Sequence, residues 1–177
     1  MLIALSCGTL EGYQASLLYL VVYTIITLAS FTVVLSCAST TGIHIRRVRY
    51  IADVGGLGRS NPLLALSLSV ALVSLAGLPP FAGFFSKLSV FFAAMHSSFY
   101  VVSVLAVCAT CIAAFYYLRI LRMLFFGYTT GKSYTPVSID SYKSAILAIC
   151  VLFLLLFFAY PSPLLVITYK MALSLCE

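Results

Sequence analysis

Charge is what this sequence has least of. Only 8% of its 177 residues are charged, and just four of those are acidic. A soluble domain carries roughly 25% charged and about half apolar residues. Here 63% of the side chains are hydrophobic and the mean hydropathy is +1.16, so an ordinary soluble fold is excluded. With four carboxylates and two histidines, the chain shows no Ser-His-Asp set, no carboxylate pair and no pair of haem-ligand histidines. It therefore offers no redox centre or catalytic site of its own. The cysteines Cys7, Cys37, Cys108, Cys111, Cys150 and Cys176 lie scattered and mostly inside apolar runs, which is no disulfide framework. Cys108 and Cys111 have CxxC spacing but no second Cys or His pair nearby, which argues against a metal site. Gly55-Gly-Leu-Gly58 lacks the Lys-Ser/Thr of a phosphate loop and reads as a flexible loop. The first residues have no basic leader region, so insertion without a cleaved targeting segment is expected.

What is present is a series of long apolar runs. Residues 13–38 carry no charge over 26 positions, about 39 Å as a helix, enough to cross a ~30 Å hydrocarbon core with some tilt. Further runs cover 62–95, 99–126 and 144–160, the last followed by an apolar tail to Leu175; the first nine residues are apolar but too short to span. The expectation is an all-α integral membrane protein. Residues 1–177 form one membrane domain with four main transmembrane segments and a short N-terminal helical stub.

The run 62–95 is about 51 Å as one helix, too long for a single straight span. Near its middle stand Gly77, Pro79, Pro80 and Gly83. The prolines lack N–H groups and crowd the carbonyls of Leu75 and Ala76, and the glycines loosen the flanks. A discontinuous helix broken near 78–81 is predicted, entered through Asn61 as N-cap and Pro62 at the first helical position. Freed carbonyls are tolerated at membrane depth only against protein or water, and broken helices mark ion sites in transporters.

Lys87 is the only charged residue between Arg59 and Arg119. A lysine at mid-membrane costs ~2.5–3.5 kcal/mol on insertion scales. Gly83 one turn earlier is expected to leave room for its stem, Ser86 to add a hydroxyl, and the break to admit water at the carbonyls of Leu75 and Ala76. Desolvation favours the neutral amine, so Lys87 reads as a switchable proton carrier; the plainer reading is a snorkelling lysine. His96 is either a proton-exit residue or an interfacial polar one. Tyr116 and Tyr117 are either an interfacial belt or the lining of a hydrated path. His44 sits among arginines, where solvent or lipid phosphate is its partner, and Glu11 caps a loop. Eight of the ten basic residues fall in or beside 39–61 and 127–143. That pattern places both loops on the matrix or cytoplasmic face and Glu177 on the other, and it explains the positive charge without nucleic acid.

Several stretches in order then carry a resemblance: Cys7-Gly-Thr-Leu-Glu-Gly12, Arg49-Tyr-Ile-Ala-Asp53, Asn61-Pro-Leu63, the run 75–87, Phe115-Tyr-Tyr-Leu-Arg119, Tyr160-Pro-Ser-Pro-Leu164 and Met171-Ala-Leu-Ser-Leu175. The chain resembles the C-terminal part of the subunit 2 family of mitochondrial NADH:ubiquinone oxidoreductase, respiratory complex I, called subunit N in bacteria. The resemblance implies part of an antiporter-like bundle with two inverted five-helix repeats. The broken run then corresponds to its discontinuous twelfth helix and Lys87 to the lysine of the outward half-channel. It also implies a multi-pass protein of the mitochondrial inner membrane that helps couple NADH oxidation and ubiquinone reduction to proton translocation. NADH, FMN, Fe–S clusters and ubiquinone belong to other subunits, and no metal or cofactor is expected on this chain. The implied partners are other membrane-arm subunits, lipids such as cardiolipin, and a separate chain carrying the N-terminal part of a split subunit. A multisubunit cation/proton antiporter, a chloroplast NDH homologue and a purely structural membrane-arm piece are the alternatives.

Overall fold

The computed structural model describes residues 1–41, 44–47, 54–127 and 141–176. The stub is a short helix, α1 (Leu2–Ser6). The long helix α2 (Leu10–Ser36) begins at Thr9, whose side chain accepts from the Gly12 N–H at 3.2 Å, and Glu11 sits in its first turn. Glu11 therefore complements the helix dipole, while the capping expected of it falls to Thr9. Along α2 the hydroxyls of Thr24, Thr27, Ser30, Thr32 and Ser36 donate to carbonyls three or four residues back. A helix so arranged carries polar side chains through apolar surroundings without leaving them unpaired.

Two short strands follow, β1 (Ala38–Thr41) and β2 (His44–Arg47), paired antiparallel with Thr40 opposite Ile45. This hairpin departs from the all-α expectation. Outside the apolar runs, β-branched Thr40, Thr41 and Ile45 favour extended backbone, a local signal that composition masked. Arg49, Asp53, Lys132, Asp140 and Glu177, which carry part of the charge-topology expectation, lie outside the described residues.

Then come α3 (Leu57–Ser60), α4 (Pro62–Ala76), α5 (Ala82–His96), α6 (Tyr100–Phe126), α7 (Ser141–Ala159) and α8 (Ser162–Cys176). The glycines at 55–58 are more than loop: Gly58 in α3 packs against the Phe125 ring of α6. Pro62 occupies the first turn of α4 as expected, but the Asn61 side chain makes no capping bond; its backbone carbonyl takes the Ala65 N–H at 3.1 Å instead. Helix α4 ends at Ala76 and α5 begins at Ala82, so the helical pattern is absent over 77–81, the stretch that holds Pro79 and Pro80. The apolar tail is itself helical, and α8 turns 91° from α7 at the stretch containing Pro161, which cannot continue the α7 ladder.

Among the described residues, α2 and α6 are each long and apolar enough to cross a membrane, and α7 with α8 qualifies only as a bent pair. Helices α4 and α5 have 15 residues each, about 22 Å, and neither reaches across a ~30 Å core alone. The helix α2 is the hub, touching α1, α4, α5, α7 and α8. Its contacts are made through small side chains: Ala29, Ala71 and Ala82 are fully buried beside Val22, Ile26, Leu154 and Phe157. Small residues let backbones approach where lipid supplies no hydrophobic drive between helices. In contrast, α6 buries only Ser103 and Leu124 and exposes Val101, Val104, Leu105, Ile112 and Phe115, an apolar face for lipid or a neighbouring chain.

The closest backbone approach is at Gly83 of α5, where a Cβ would run into the backbone carbonyl of Ser74 in α4. Backbone cannot move aside as a side chain can. Gly83→Val is therefore expected to lose about 1–3 kcal/mol from overpacking. A fall in the thermal midpoint of the detergent-solubilised assembly would register it; an unchanged midpoint would contradict this packing.

Candidate functional site

The site is built by how α4 ends. Gly77 adopts φ +80°, a left-handed turn that suits glycine, and its N–H donates to the carbonyls of Val73 and Ser74, both at 3.1 Å. The Leu78 N–H also reaches Val73, at 3.4 Å. The next two positions are Pro79 and Pro80, so the helical donors for the carbonyls of Leu75 and Ala76 do not exist. Those two oxygens are taken by one ammonium: Lys87 Nζ donates to Leu75 O at 2.7 Å and to Ala76 O at 3.1 Å. The cation sits at the negative end of the α4 dipole, where it is favoured, and two charge-assisted hydrogen bonds offset its burial. The lysine thus meets directly the two carbonyls that lose their helical donors.

The glycines divide their work differently from the expectation. Room for the lysine stem comes from Gly77, where a Cβ would lie 2.9 Å from Lys87 Cδ and 3.0 Å from Nζ. Gly83 instead permits the crossing of α4 and α5. Ser86 is buried next to Lys87, and its hydroxyl donates to Gly83 O at 3.0 Å. A cavity of about 20 Å³ lies beside the ammonium, lined by Lys87, Ser86, Gly83 and Ser74 and by Tyr19 and Tyr23 of α2. The two tyrosine rings stack with centroids 5.9 Å apart.

Lys87, Gly77, Gly83 and Ser86 are thus brought together around the interruption that holds Pro79 and Pro80. His96, Tyr116 and Tyr117 do not line this cavity. His96 ends α5, exposed, with Nδ1 4.0 Å from Glu11 Oε2. That pair places the start of α2 and the end of α5 at the same end of the bundle. Tyr116 and Tyr117 have rings 4.2 Å apart on α6, Tyr116 exposed and Tyr117 packed against the buried cluster of Val33, Leu64, Leu68 and Leu124. Sequence reasoning missed Tyr19, Tyr23 and Ser74. The i,i+4 spacing of the tyrosines put both on one face of α2, and that was the available signal. Ser74 carried none beyond being a hydroxyl in an apolar run.

The family described as "NADH:quinone oxidoreductase/Mrp antiporter, TM" matches residues 1–113. The chain is similar to NADH-ubiquinone oxidoreductase chain 2 of Marchantia polymorpha, 42% identical over 99% of this chain and 35% of that protein. It is 37% identical to NADH-quinone oxidoreductase subunit N of Parvibaculum lavamentivorans, over 92% of this chain and 32% of that one. A chain in the structure of respiratory complex I from Thermus thermophilus with bound aureothin superposes with a TM-score of 0.72 at 32% identity, covering 88% of this chain and 35% of that chain. The chain spans about a third of the length of the curated relatives it matches.

Gly77→Ala tests the site's backbone. An alanine in the left-handed region costs about 1–2 kcal/mol, and here the new Cβ also pushes Lys87 from its carbonyls. Gly8→Ala is the control, since Gly8 has φ +61° with nothing within 4 Å of the added carbon. Both variants are expected to lose thermal stability, but only the loss from Gly77→Ala should change when Lys87 is replaced by Met. A Gly77→Ala loss that Lys87→Met leaves unchanged would dissociate Gly77 from the lysine.

Proposed function

The chain belongs to the NADH:quinone oxidoreductase/Mrp antiporter transmembrane family, and on that premise we propose that it is part of a proton-translocating membrane-arm subunit of respiratory complex I. In this reading α4 and α5 are the halves of one discontinuous span, and four main spans are completed by α2, α6 and α7. Proton transfer runs through Lys87. The observation that carries the reading is the ammonium of Lys87 bound to the two carbonyls left without donors before Pro79 and Pro80. A group able to gain and lose a proton is thereby tied to an interrupted helix, the arrangement transporters use at ion sites.

NADH, FMN, Fe–S clusters and ubiquinone are assigned to other subunits, and the chain contributes proton chemistry. An inverted-repeat channel needs both repeats, so the partner in this reading is a separate chain carrying the N-terminal part of the same subunit. It would stand beside the other membrane-arm subunits and lipids such as cardiolipin. The family description also includes cation antiporters. An antiporter subunit would support sodium-dependent transport without NADH oxidation, which separates the two readings. Identity of 42% over nearly the whole chain to an oxidoreductase subunit supports the first.

Lys87→Met keeps length and apolar bulk and removes the charge. The variant complex is expected to assemble on native gels with its N-terminal partner chain, while protons pumped per NADH oxidised fall several-fold in reconstituted vesicles. Lys87→Arg is expected to impair pumping as well, because a guanidinium holds its proton. Wild-type pumping by a fully assembled Lys87→Met complex would overturn the assignment.

Orientation follows from the basic loops. Positive charge is retained on the matrix side of the inner membrane, so single cysteines placed in 39–61 and 127–143 are expected to resist impermeant thiol reagents in intact mitoplasts. A cysteine at Glu177 is expected to react. The opposite labelling pattern would invert the topology.

A further inference from the structure

Ser74 is fully buried, and its hydroxyl has no hydrogen-bond partner among the described residues. The other buried hydroxyls behave differently. Ser16, Ser67, Ser86, Ser103 and Thr168 each donate to a carbonyl of their own helix at 2.8–3.0 Å. Ser74 had the same local option and does not use it. Ser74 is one of the residues around the cavity of about 20 Å³ next to Lys87. A water needs roughly 10–15 Å³ of such volume and two to four polar partners. Two of the three ammonium N–H groups of Lys87 are engaged by Leu75 and Ala76, which leaves one to donate. An unpaired buried hydroxyl is costly, and the cavity beside it has the size of one water.

We infer that this cavity binds a single water molecule between Ser74 Oγ and Lys87 Nζ, and that Ser74 is a positioning residue for proton exchange at Lys87. The inference rests on the reading of Lys87 as a proton carrier and deepens it. The step balances simply. The ammonium gives a proton to the water oxygen and becomes a neutral amine, and the water passes one of its own protons to the Tyr23 phenol oxygen. That phenol releases its original hydroxyl proton at its exposed side, so water and phenol are both regenerated. Tyr19 and Tyr23 border the same cavity, and Tyr23 is 47% exposed, so the onward direction is towards the face of α2 that carries these two phenols. Return of a proton retraces the steps.

The test uses the intact complex. In a density map fine enough to resolve ordered water, the wild-type complex is expected to show one water within hydrogen-bond distance of Ser74 Oγ, and the Ser74→Ala complex none. Ser74→Ala should assemble as wild type yet pump at least threefold fewer protons per NADH. Ser74→Thr, which restores a hydroxyl, should recover most of the loss. Equal losses in the alanine and threonine variants would assign the effect to packing and overturn the inference. So would wild-type pumping by Ser74→Ala when Lys87→Met is impaired, and the proton-carrier reading would survive. If Lys87→Met also pumps normally, that reading falls as well. Should Ser74→Ala fail to assemble, the wild-type map decides: a dry cavity refutes the inference and an ordered water supports it.

Discussion

Everything near the middle of this bundle depends on one ammonium meeting two carbonyls. The chain interrupts a helix in apolar surroundings, where each unpaired buried backbone oxygen costs about 1–3 kcal/mol. It also places a lysine there, at a cost of ~2.5–3.5 kcal/mol. Either feature alone would carry its cost without compensation. Together they cancel much of each other's cost, because Lys87 Nζ lies 2.7 Å from Leu75 O and 3.1 Å from Ala76 O. The dependence runs both ways. Loss of the proton from Lys87 leaves an amine that still donates but without charge, so its grip on the α4 terminus weakens. The protonation state of Lys87 is thereby coupled to the backbone of α4.

That coupling needs a rigid frame to act against. It comes from close helix contact: Gly83 against the Ser74 carbonyl, and Ala29, Ala71 and Ala82 buried where α2, α4 and α5 meet. Large side chains at these points would hold the helices apart and widen the cavity beside Lys87. The outer surface follows a different logic. Along α6 the apolar residues face outward, so that helix is held at its ends, by Leu124 and Tyr117 on one side and Ser103 on the other, more than along its length. Lys87 lies on the well-packed side of the molecule, among α2, α4 and α5.

Much of this was legible in the sequence because the signals were local and strong. An isolated lysine in an apolar run, two prolines and flanking glycines together pointed to the stretch between α4 and α5, and chemistry named the two carbonyls that Lys87 meets. What sequence reasoning lacked was three-dimensional direction. It gave Gly83 the task of making room for Lys87, because Gly83 precedes it by one helical turn. The lysine in fact reaches back across the interruption to Gly77 and the end of α4. Tyr19 and Tyr23 lie more than 60 residues away in sequence, and only the packing of α2 on α5 brings them to the cavity. The β1–β2 hairpin was hidden for another reason. Propensity in a four-residue segment is a weak signal beside apolar runs of 20 or more.

The identity of residue 87 bears on what the site is for. If the ammonium served only to cap α4, arginine would do the work better, since its planar guanidinium offers a fixed fork of donors and stays charged under all conditions. Lysine presents a compact charge with three rotatable donors, and it can give its proton up. A cap profits from permanence, whereas a carrier requires release. The site combines both demands by giving two donors to the helix end and leaving the third beside a cavity bordered by hydroxyl-bearing side chains. Structural capping and proton exchange therefore need not compete for the same hydrogen bonds. In the proposed function the cap holds Lys87 in place, and the remaining N–H is the one through which its proton leaves.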